Sequence, residues 1–272
     1  MKLAATVILF NPTSSIVENL KNYLESVDKL YIIDNSPISQ LDSNIIENDK
    51  VELIHDGENK GIPLRLNHVI KKCITENYTH LLTMDQDSFF YTNQINEYQK
   101  RIKSFSSKKI GMYGVSYDTK KKLEKIECNK TLITSGSILD IQLANKIGMF
   151  DENLFIDGVD TEYCLKLFKN GYNTLMFNDI QLNHRLGEPI LKLTPHLKHQ
   201  YRSLHDSNRI YYMVRNNFYL RNKYKDKIYF LPWKPILNEI KNALFYGDEK
   251  TKTIFAVIKG YKHFKHKKMG KI

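Results

Sequence analysis

Apolar residues in the first third of the chain form short continuous runs that alternate with segments of helical periodicity. Runs without polar residues at alternate positions are typical of strands buried on both faces of a parallel sheet. The predicted strands cover residues 4–10, 30–33, 51–55 and 80–84, and the predicted helices cover residues 15–26 and 62–75. This alternation predicts an α/β fold with a mostly parallel central sheet flanked by helices.

The remainder of the chain mixes strands and helices less regularly. The predicted strands cover residues 110–115, 131–135 and 175–182, and the predicted helices cover residues 138–147, 160–170 and 208–224. Gly171 is expected to end the second of these helices, since glycine is common just beyond a helix C-terminus. The sequence after Pro232 is helical, amphipathic and basic. We therefore predict one domain over residues 1–225, followed by a helical basic segment over residues 226–272.

Three of the predicted strands end in side chains that carry oxygen. Asn11 follows the first strand, Asp34 and Asn35 follow the second, and Asp85 and Asp87 follow the fourth. Ligands of doubly wound sheets bind at the carboxyl ends of the strands, so these side chains should share one edge. Two carboxylates one residue apart can face a divalent cation that bridges to a diphosphate, and Mg²⁺ or Mn²⁺ fits an all-oxygen ligand set. A solvated turn is the alternative interpretation of the triplet.

The chain is basic, with 41 Lys and Arg against 30 Asp and Glu and a formal net charge of +11. Much of the excess lies in residues 259–271, where Tyr261 and Phe264 are interspersed among lysines. Such a segment is typical of a helix that binds an anionic membrane surface, and equally of a solvated terminus. Nucleic-acid binding is disfavoured, because the basic excess is largely terminal rather than spread with aromatic residues over one surface.

The cysteines and the apolar runs indicate the compartment. Cys73, Cys128 and Cys164 lack the paired spacing of a zinc site, and an odd, sparse set indicates a reducing compartment. The apolar stretch at residues 1–10 is too short for a signal peptide and is interpreted as a strand. No apolar run approaches the roughly 18 residues needed to span a bilayer. A cytoplasmic protein, peripheral on the inner face of the cell membrane, is expected.

A series of short motifs follows one another along the chain. They are Asn-Pro after the first strand, Ile-Ile-Asp-Asn-Ser, Asn-Lys-Gly-Ile with a further Asn, Met-Asp-Gln-Asp-Ser, Phe-Ile-Asp-Gly-Val-Asp-Thr-Glu-Tyr-Cys-Leu-Lys, Asn-His-Arg-Leu-Gly-Glu and Tyr-Tyr-Met-Val-Arg-Asn. Their order resembles family 2 glycosyltransferases of the GT-A fold. The Asp-Gln-Asp-Ser form in particular resembles the bacterial rhamnosyltransferase branch. The match covers about residues 3–220.

This resemblance implies that about residues 1–105 bind the nucleotide and about residues 106–225 bind the acceptor. Asp34 would accept a hydrogen bond from the N3–H of a uracil or thymine base, although an Asx turn before Pro37 explains it as well. Arg65 would meet the diphosphate, or belong to a plain helix surface. The nucleotide-binding set is Asn11, Asp34, Asn35, Asn59, Gly61, Arg65, Asn67, Asp85 and Arg215.

Inverting glycosyl transfer needs a base that takes the proton of the acceptor hydroxyl. The resemblance places this base at Asp160, and a helix start there favours the ionised carboxylate. Val159 precedes it where many relatives have Glu, which leaves Asp157 and Glu162 as competitors for the base. Asp157 is the next candidate, and Glu162 is expected as a partner that supports the base. An N-cap is the alternative role of Asp160. His184, in the family's His-x-x-Gly loop, would ligate the metal or bond the leaving diphosphate, or be structural.

Together these features predict a metal-dependent inverting glycosyltransferase that uses Mn²⁺ or Mg²⁺, with Asp85, Asp87 and His184 as the metal ligands. It would transfer a sugar from a nucleoside diphosphate sugar to a hydroxyl of a bacterial surface polysaccharide. The resemblance favours dTDP-L-rhamnose as the donor and leaves a UDP-hexose or UDP-N-acetylhexosamine open. The acceptor is expected on a lipid carrier, and a homodimer is compatible with the sequence. A basic nucleic-acid-binding module is the alternative from another class.

Overall fold

In a computed structural model the described residues are 1–13, 16–39, 41, 47–91, 93–105, 109–117, 125–184, 190–193, 199–202 and 204–272. Only the backbone is described for residues 184, 190–193, 199–202 and 228–230. These residues form two compact units. The first contains residues 1–152 and 159–184, and the second contains residues 153–158 and 185–272.

The first unit alternates strands and helices through most of its length. In chain order its elements are β1 (Leu3–Leu9), α1 (Ile16–Leu24), β2 (Lys29–Asp34), β3 (Val51–His55), α2 (Ile62–Thr75), β4 (His80–Asp85), β5 (Ser88–Phe90), α3 (Gln94–Ser104), β6 (Ile110–Ser116), β7 (Ile126–Cys128), β8 (Ser137–Asp140), α4 (Ile141–Ile147), α5 (Val159–Lys169) and β9 (Asn173–His184).

The nine strands of the described part of this unit form one sheet, in the order β3-β2-β1-β4-β8-β6-β9-β5, with β7 paired to β9. β3, β2, β1 and β4, which are adjacent in the sheet in this order, are all parallel. Beyond β4 the sheet is mixed, because β8 runs antiparallel to both β4 and β6 while β6 and β9 are parallel. The predicted α/β architecture is confirmed, and the parallel strands are those that carry the oxygen-rich endings.

Burial explains the continuous apolar runs of the first strands. Ala4 and Ala5 of β1 and Ile32 and Ile33 of β2 have no exposed surface, so successive residues on both faces of the sheet are covered. A residue that points to either face must then be apolar. Because β1, β2 and β4 are parallel, their carboxyl ends reach one edge of the sheet, as the sequence predicts.

The strand predicted for residues 131–135 is wrong. These residues lead into a turn, in which Gly136 N donates to Thr83 O at 2.8 Å. The strand of this region is β8, which takes the first residues of the predicted helix 138–147, and the helix begins only at Ile141. The turn bonds to the neighbouring strand, and this long-range hydrogen bond decides the strand position where local propensity does not.

The second unit is mostly helical. Its elements are β10 (Ile190–Leu193), β11 (His199–Arg202), α6 (Ser207–Lys223), a 3₁₀ segment (Lys225–Phe230), α7 (Trp233–Tyr246) and α8 (Lys250–Lys265). The backbones of α6 and α8 approach closely at Gly260, where a Cβ atom would lie 2.9 Å from Tyr211 O. α6 belongs to this unit because it packs with α7 and α8. The predicted division of the chain at residue 225 stays a prediction. Within the described part of the chain, no helix combines the length and the apolar character needed to cross a membrane.

Candidate active site

The acidic triplet lies on the short loop between β4 and β5. Asp85 is the last residue of β4, and Asp87 directly precedes β5. Between them, the side-chain oxygen of Gln86 accepts a hydrogen bond from Phe10 N at 2.9 Å. The carbonyl of Gln86 accepts another from Asn19 Nδ2 at 3.1 Å. The triplet is therefore tied to the end of β1 and to α1, at the carboxyl edge of the parallel strands.

Two serines hold the same loop from the other side. Ser135 Oγ accepts a hydrogen bond from Asp85 N at 3.2 Å and donates to Ser88 Oγ at 2.8 Å. Ser88 Oγ in turn lies 3.5 Å from Asp87 Oδ1. Both serines are buried, whereas Asp85 and Asp87 are half-buried. The two carboxylates are thus presented on a loop whose backbone is fixed by buried side chains.

Asp34 is fully buried at the end of β2. Its Oδ1 accepts a hydrogen bond from Ser36 N at 2.9 Å, which is the Asx turn that the sequence left as an alternative. Within the described residues its Oδ2 is buried and has no hydrogen-bond partner. An acceptor left unsatisfied in this way is costly. The N3–H of a pyrimidine base is a donor of the kind that this oxygen lacks. Asn11 N donates to Ser36 Oγ at 2.7 Å, which joins the ends of β1 and β2.

Arg65 is buried inside the first unit. It donates to both carboxylate oxygens of Asp56, to Asn35 Oδ1 from Nε at 2.6 Å and to Glu58 O from Nη2 at 2.7 Å. The hydrogen bonds of Arg65 and Lys60 hold the pKa of Asp56 well below its usual range. Arg65 therefore organises the loop between β3 and α2, and its predicted contact with a diphosphate stays a prediction.

The other residues of this stretch shape the backbone. Asn59 Oδ1 accepts a hydrogen bond from Gly61 N at 3.0 Å. Gly61 has a φ of 77° and stands at the start of α2, a conformation that favours glycine. Asn67 is buried on α2, where its side chain bonds to both backbone groups of Phe150 at 2.9 Å and to Glu152 Oε1. Asn67 thus fixes the segment that precedes α5.

The start of α5 carries two acidic residues with different surroundings. Asp160 is half-buried in the first turn, and its Oδ1 accepts a hydrogen bond from Thr161 N at 2.7 Å. Glu162 has no exposed surface and pairs with Lys166, whose Nζ lies 3.3 Å from Glu162 Oε2. Lys166 Nζ also donates to Gly148 O and Met149 O. The structure therefore gives Glu162 a packing environment, and it leaves Asp160 partly accessible.

Asp157 belongs to the second unit. It has a positive φ of 63°, which is uncommon for a residue other than glycine. Arg209 Nε lies 3.0 and 3.1 Å from its two carboxylate oxygens, and Arg209 Nη2 lies 2.9 Å from Oδ1. Burial raises the pKa of Asp157 above its usual value, and Arg209 opposes this rise. A carboxylate with a raised pKa is better matched to proton abstraction near neutral pH, so Asp157 keeps its place as the second candidate base.

Arg215 is fully buried in the second unit. Its Nη1 donates to Gly270 O at 2.7 Å and its Nη2 donates to Asn153 O at 3.4 Å. The next residue, Asn216, donates to the carbonyls of Ile156 and Asp157 at 2.7 and 2.9 Å. Arg215 and Asn216 therefore hold the segment that carries Asp157, and nucleotide binding by Arg215 stays a prediction.

His184 ends β9 opposite Ser88 of β5, while its side chain lies outside the described residues. Among the side chains that are described, no group of three or more His, Cys, Asp and Glu is placed to hold a metal ion. Asp85 and Asp87 each supply one carboxylate, whose oxygen atoms could bind a cation. Mg²⁺ is commonly held by one or two carboxylates together with substrate phosphates, so the pair fits such an ion.

Comparison with known proteins identifies the class. No family model matches the sequence. The dTDP-rhamnosyl transferase RfbF of Shigella flexneri is 27% identical over 243 residues, which are 80% of this chain and 79% of that protein. The crystal structure of S. aureus TarS 1-349 has a TM-score of 0.52 at 16% identity, over 97% of this chain and 72% of that one. Its complex with UDP-GlcNAc has a TM-score of 0.52 at 15% identity, over 97% and 73%. This chain covers 44% of the longer TarS structure, with a TM-score of 0.51 at 13% identity.

The chain is a glycosyltransferase with the GT-A fold, and its sequence is similar to that of a dTDP-rhamnosyl transferase. The resemblance to rhamnosyltransferases that its motifs indicate is thereby confirmed, and so is the GT-A fold. The alternative of a nucleic-acid-binding module receives no support from these similarities.

Sequence reasoning missed two residues of the glycosyltransferase that shape this edge. Asp56 directly follows β3 and pairs with Arg65, and the same rule of polar strand endings would have found it. Ser135 supports the Asp85 backbone, but a small-residue turn gives no signal that its hydroxyl reaches a loop 50 residues away in the chain.

Proposed function

We propose that this glycosyltransferase transfers a sugar with inversion from a nucleoside diphosphate sugar to a hydroxyl of a glycan, with the help of Mn²⁺ or Mg²⁺. One observation carries the proposal. The Asp85-Gln86-Asp87 loop is fixed at the carboxyl edge of the parallel strands, next to the ends of β1 and β2. Ligands of such sheets bind at this edge, and paired carboxylates there suit a cation and a diphosphate.

The donor would be held by residues of the first unit. Asp85 and Asp87 would hold the divalent cation, which when bound neutralises charge on the leaving diphosphate. Asp34 would accept the N3–H of a uracil or thymine, and its buried, unsatisfied Oδ2 supports this role within the described residues. Three hydrogen bonds shape the surrounding loops. Asn11 N donates to Ser36 Oγ, Lys60 N donates to Asn35 Oδ1, and Gly61 N donates to Asn59 Oδ1. His184 remains the proposed third ligand.

Asp160 is the proposed base. Its position in the first turn of α5 favours the ionised carboxylate, and its partial exposure leaves it accessible to an acceptor hydroxyl. Glu162 is buried against Lys166 and is the less suitable base of the two. Asp157 is the alternative, because burial raises its pKa while Arg209 holds its orientation. In either case the base takes the proton of the hydroxyl as that oxygen attacks the anomeric carbon.

dTDP-L-rhamnose is the proposed donor, on the strength of the similarity to RfbF over most of both chains. The TarS complex with UDP-GlcNAc supports a UDP-N-acetylhexosamine as the second candidate, at the level of the shared fold. The proposed acceptor is a bacterial surface polysaccharide on a lipid carrier. The protein would then act in the cytoplasm at the inner face of the cell membrane.

A donor screen tests this proposal. The full chain is incubated with Mn²⁺ and with dTDP-L-rhamnose, UDP-glucose or UDP-GlcNAc in turn, and the released nucleotide is measured with and without membrane lipid extract as the acceptor source. We expect release of dTDP that depends on Mn²⁺ and is stimulated by the extract. Release of UDP alone would reassign the donor, and no binding or release with any of the three would refute a sugar-nucleotide transferase.

A further inference from the structure

Helix α8 exposes a row of large apolar side chains. Ile254 is 51% exposed, Phe255 is 66% exposed and Ile258 is 45% exposed. Residues at spacings of three and four share one face of a helix, so these three side chains form a continuous stripe. Tyr261, one turn further on, is 41% exposed, but its ring packs edge-on against Phe218 of α6 with ring centroids 4.9 Å apart. We call Ile254, Phe255 and Ile258 the α8 apolar face.

This face is turned away from the core of its own unit. Thr253, Ala256 and Gly260, on the opposite side of α8, are buried. At Gly260 the backbone is so close to α6 that a Cβ atom would meet Arg215 N at 3.2 Å. One side of α8 is therefore packed inside the unit, whereas the α8 apolar face is exposed in the described part of the chain. Contiguous exposed apolar side chains of this kind mark interaction surfaces.

The charged side chains of α8 and of the segment after it are of one sign, and Glu249, which directly precedes the helix, pairs with Lys252 at 2.6 Å. Residues 250–272 contain eight lysines and neither Asp nor Glu. Lys259, Lys262 and Lys265 lie on α8 itself and are exposed. Such lysines can extend their charged ends beside an apolar stripe while their alkyl chains lie along it. The combination of exposed Ile and Phe with flanking lysines is typical of a helix that lies in the interface of an anionic membrane.

The structure also changes which aromatic residues belong to this surface. Phe264 stacks on Phe218 of α6 with ring centroids 5.6 Å apart and is half-buried, so it belongs to the packing of the unit. The sequence pairs Phe264 with Tyr261 as a candidate membrane contact. The fold instead exposes Ile254, Phe255 and Ile258, which lie up to ten residues earlier on α8.

We propose that the α8 apolar face and its lysines dock on the surface of an anionic phospholipid bilayer, with Phe255 and Ile258 inserted among the lipids. Charge complementarity decides the occupant, since acidic headgroups match a lysine-rich helix without acidic residues. The proposal deepens the proposed function, because it names the surface that would bring the enzyme to a lipid-linked acceptor. The biological reason for docking rests on that function, whereas the docking itself does not.

Vesicle co-sedimentation of the full chain tests the proposal. Vesicles of phosphatidylcholine alone are compared with vesicles that contain phosphatidylglycerol. We expect binding to be at least about tenfold stronger on the anionic vesicles and to weaken at high salt. Phe255→Ser with Ile258→Ser should reduce binding about tenfold or more. Ile38→Ser, a control at an apolar residue that is 75% exposed in the first unit, should leave it unchanged.

Charge is tested in the same assay. Lys259→Gln, Lys262→Gln and Lys265→Gln together should weaken binding to anionic vesicles, whereas Lys21→Gln, Lys71→Gln and Lys146→Gln remove the same charge from the first unit and should have little effect. Equal loss in both triple variants, or full binding by the Phe255 and Ile258 variant, would overturn the proposal. Circular dichroism confirms that each variant is folded, and these substitutions are at exposed positions.

Two other occupants give distinct results. In the first case, oligonucleotides bind more tightly than anionic vesicles, and the Phe255→Ser and Ile258→Ser double variant binds oligonucleotides as the wild type does. The surface is then a polyanion site and the proposal fails. If the serine variant changes the mass in solution from dimer to monomer and vesicles never bind, the face is an interface between copies. Donor binding to the full chain is measured in a separate assay. A failure of membrane docking can therefore be told apart from a failure of the proposed function.

Discussion

Arg65 and Asp56 form a two-armed ion pair at the sheet edge, with Nη2 2.5 Å from Oδ1 and Nη1 3.0 Å from Oδ2. The guanidinium is 4% exposed and the carboxylate 35% exposed. A planar guanidinium matches a carboxylate in this arrangement, which a lysine cannot reproduce. The residue expected to meet a diphosphate is therefore already engaged by its own loop.

Arg65→Met is expected to lower the free energy of unfolding by about 2–3 kcal/mol, because it removes several hydrogen bonds from a charged donor and leaves Asn35 and Glu58 without it. Urea denaturation measures this as a lower midpoint with an unchanged slope. Leu64→Ala, at an exposed neighbour on the same helix, serves as the control. If Arg65→Met unfolds normally but loses donor affinity, the arginine acts on the diphosphate instead.

The Asp56 carboxyl predicts a specific dependence of stability on pH. Its pKa in the folded protein is held below the ordinary value of 3.8, so the folded state binds fewer protons than the unfolded state. The resulting stabilisation is present above about pH 4 and is lost as the pH falls through the folded pKa. Asp56→Asn should therefore flatten the loss of stability below pH 4, as monitored by denaturation midpoints. An unchanged acid limb in Asp56→Asn would show that other carboxylates dominate.

Gly260 is expected to tolerate no side chain. A Cβ atom there would lie 2.9 Å from Tyr211 O and 3.2 Å from Arg215 N, so α6 and α8 would have to separate. Gly260→Ala should cost about 1–3 kcal/mol through this overpacking, although alanine favours a helix. Lys259→Ala, the exposed neighbour, controls for helix propensity. Higher stability in Gly260→Ala would contradict the close packing of the two helices.

Ser135 is expected to position the Asp85–Asp87 loop, which is the proposed metal site. It accepts a hydrogen bond from Asp85 N and donates to Ser88 Oγ, and the loss of groups that orient metal ligands typically lowers metal affinity 10–100-fold. Ser135→Ala should therefore raise the Mn²⁺ concentration needed for donor binding by about tenfold, in calorimetric titrations. Ser104→Ala on α3 should leave it unchanged. Equal Mn²⁺ requirements in wild type and Ser135→Ala would remove the serine from the site.

The parallel half of the fold could be predicted because its signal is local. The runs that become β1, β2 and β4 are apolar at successive positions, and each is followed by polar residues that the parallel arrangement brings to one edge. The predicted bounds of β3 and α2 agree with the structure residue for residue.

The remainder depends on contacts that are distant in sequence. β5 has three residues, too few for a periodic signal, and it forms only because it pairs with β9. The surroundings of Arg215 could not be predicted, because its partner Gly270, which accepts its hydrogen bond, lies 55 residues further along the chain. The burial of Glu162 against Lys166 likewise could not be predicted from the sequence.

We propose that Asp160 takes the proton while the Asp85–Asp87 loop holds the cation and the diphosphate. The turnover of Asp160→Asn at saturating donor tests this assignment most directly. Asparagine cannot take the proton of the acceptor hydroxyl, and a general base typically contributes 10²–10⁴ to the rate. Nucleotide release in the presence of acceptor should therefore fall by about 10²–10⁴, with the donor Kd unchanged. Turnover of Asp160→Asn at the rate of the wild type would contradict the account and would move the base to Asp157.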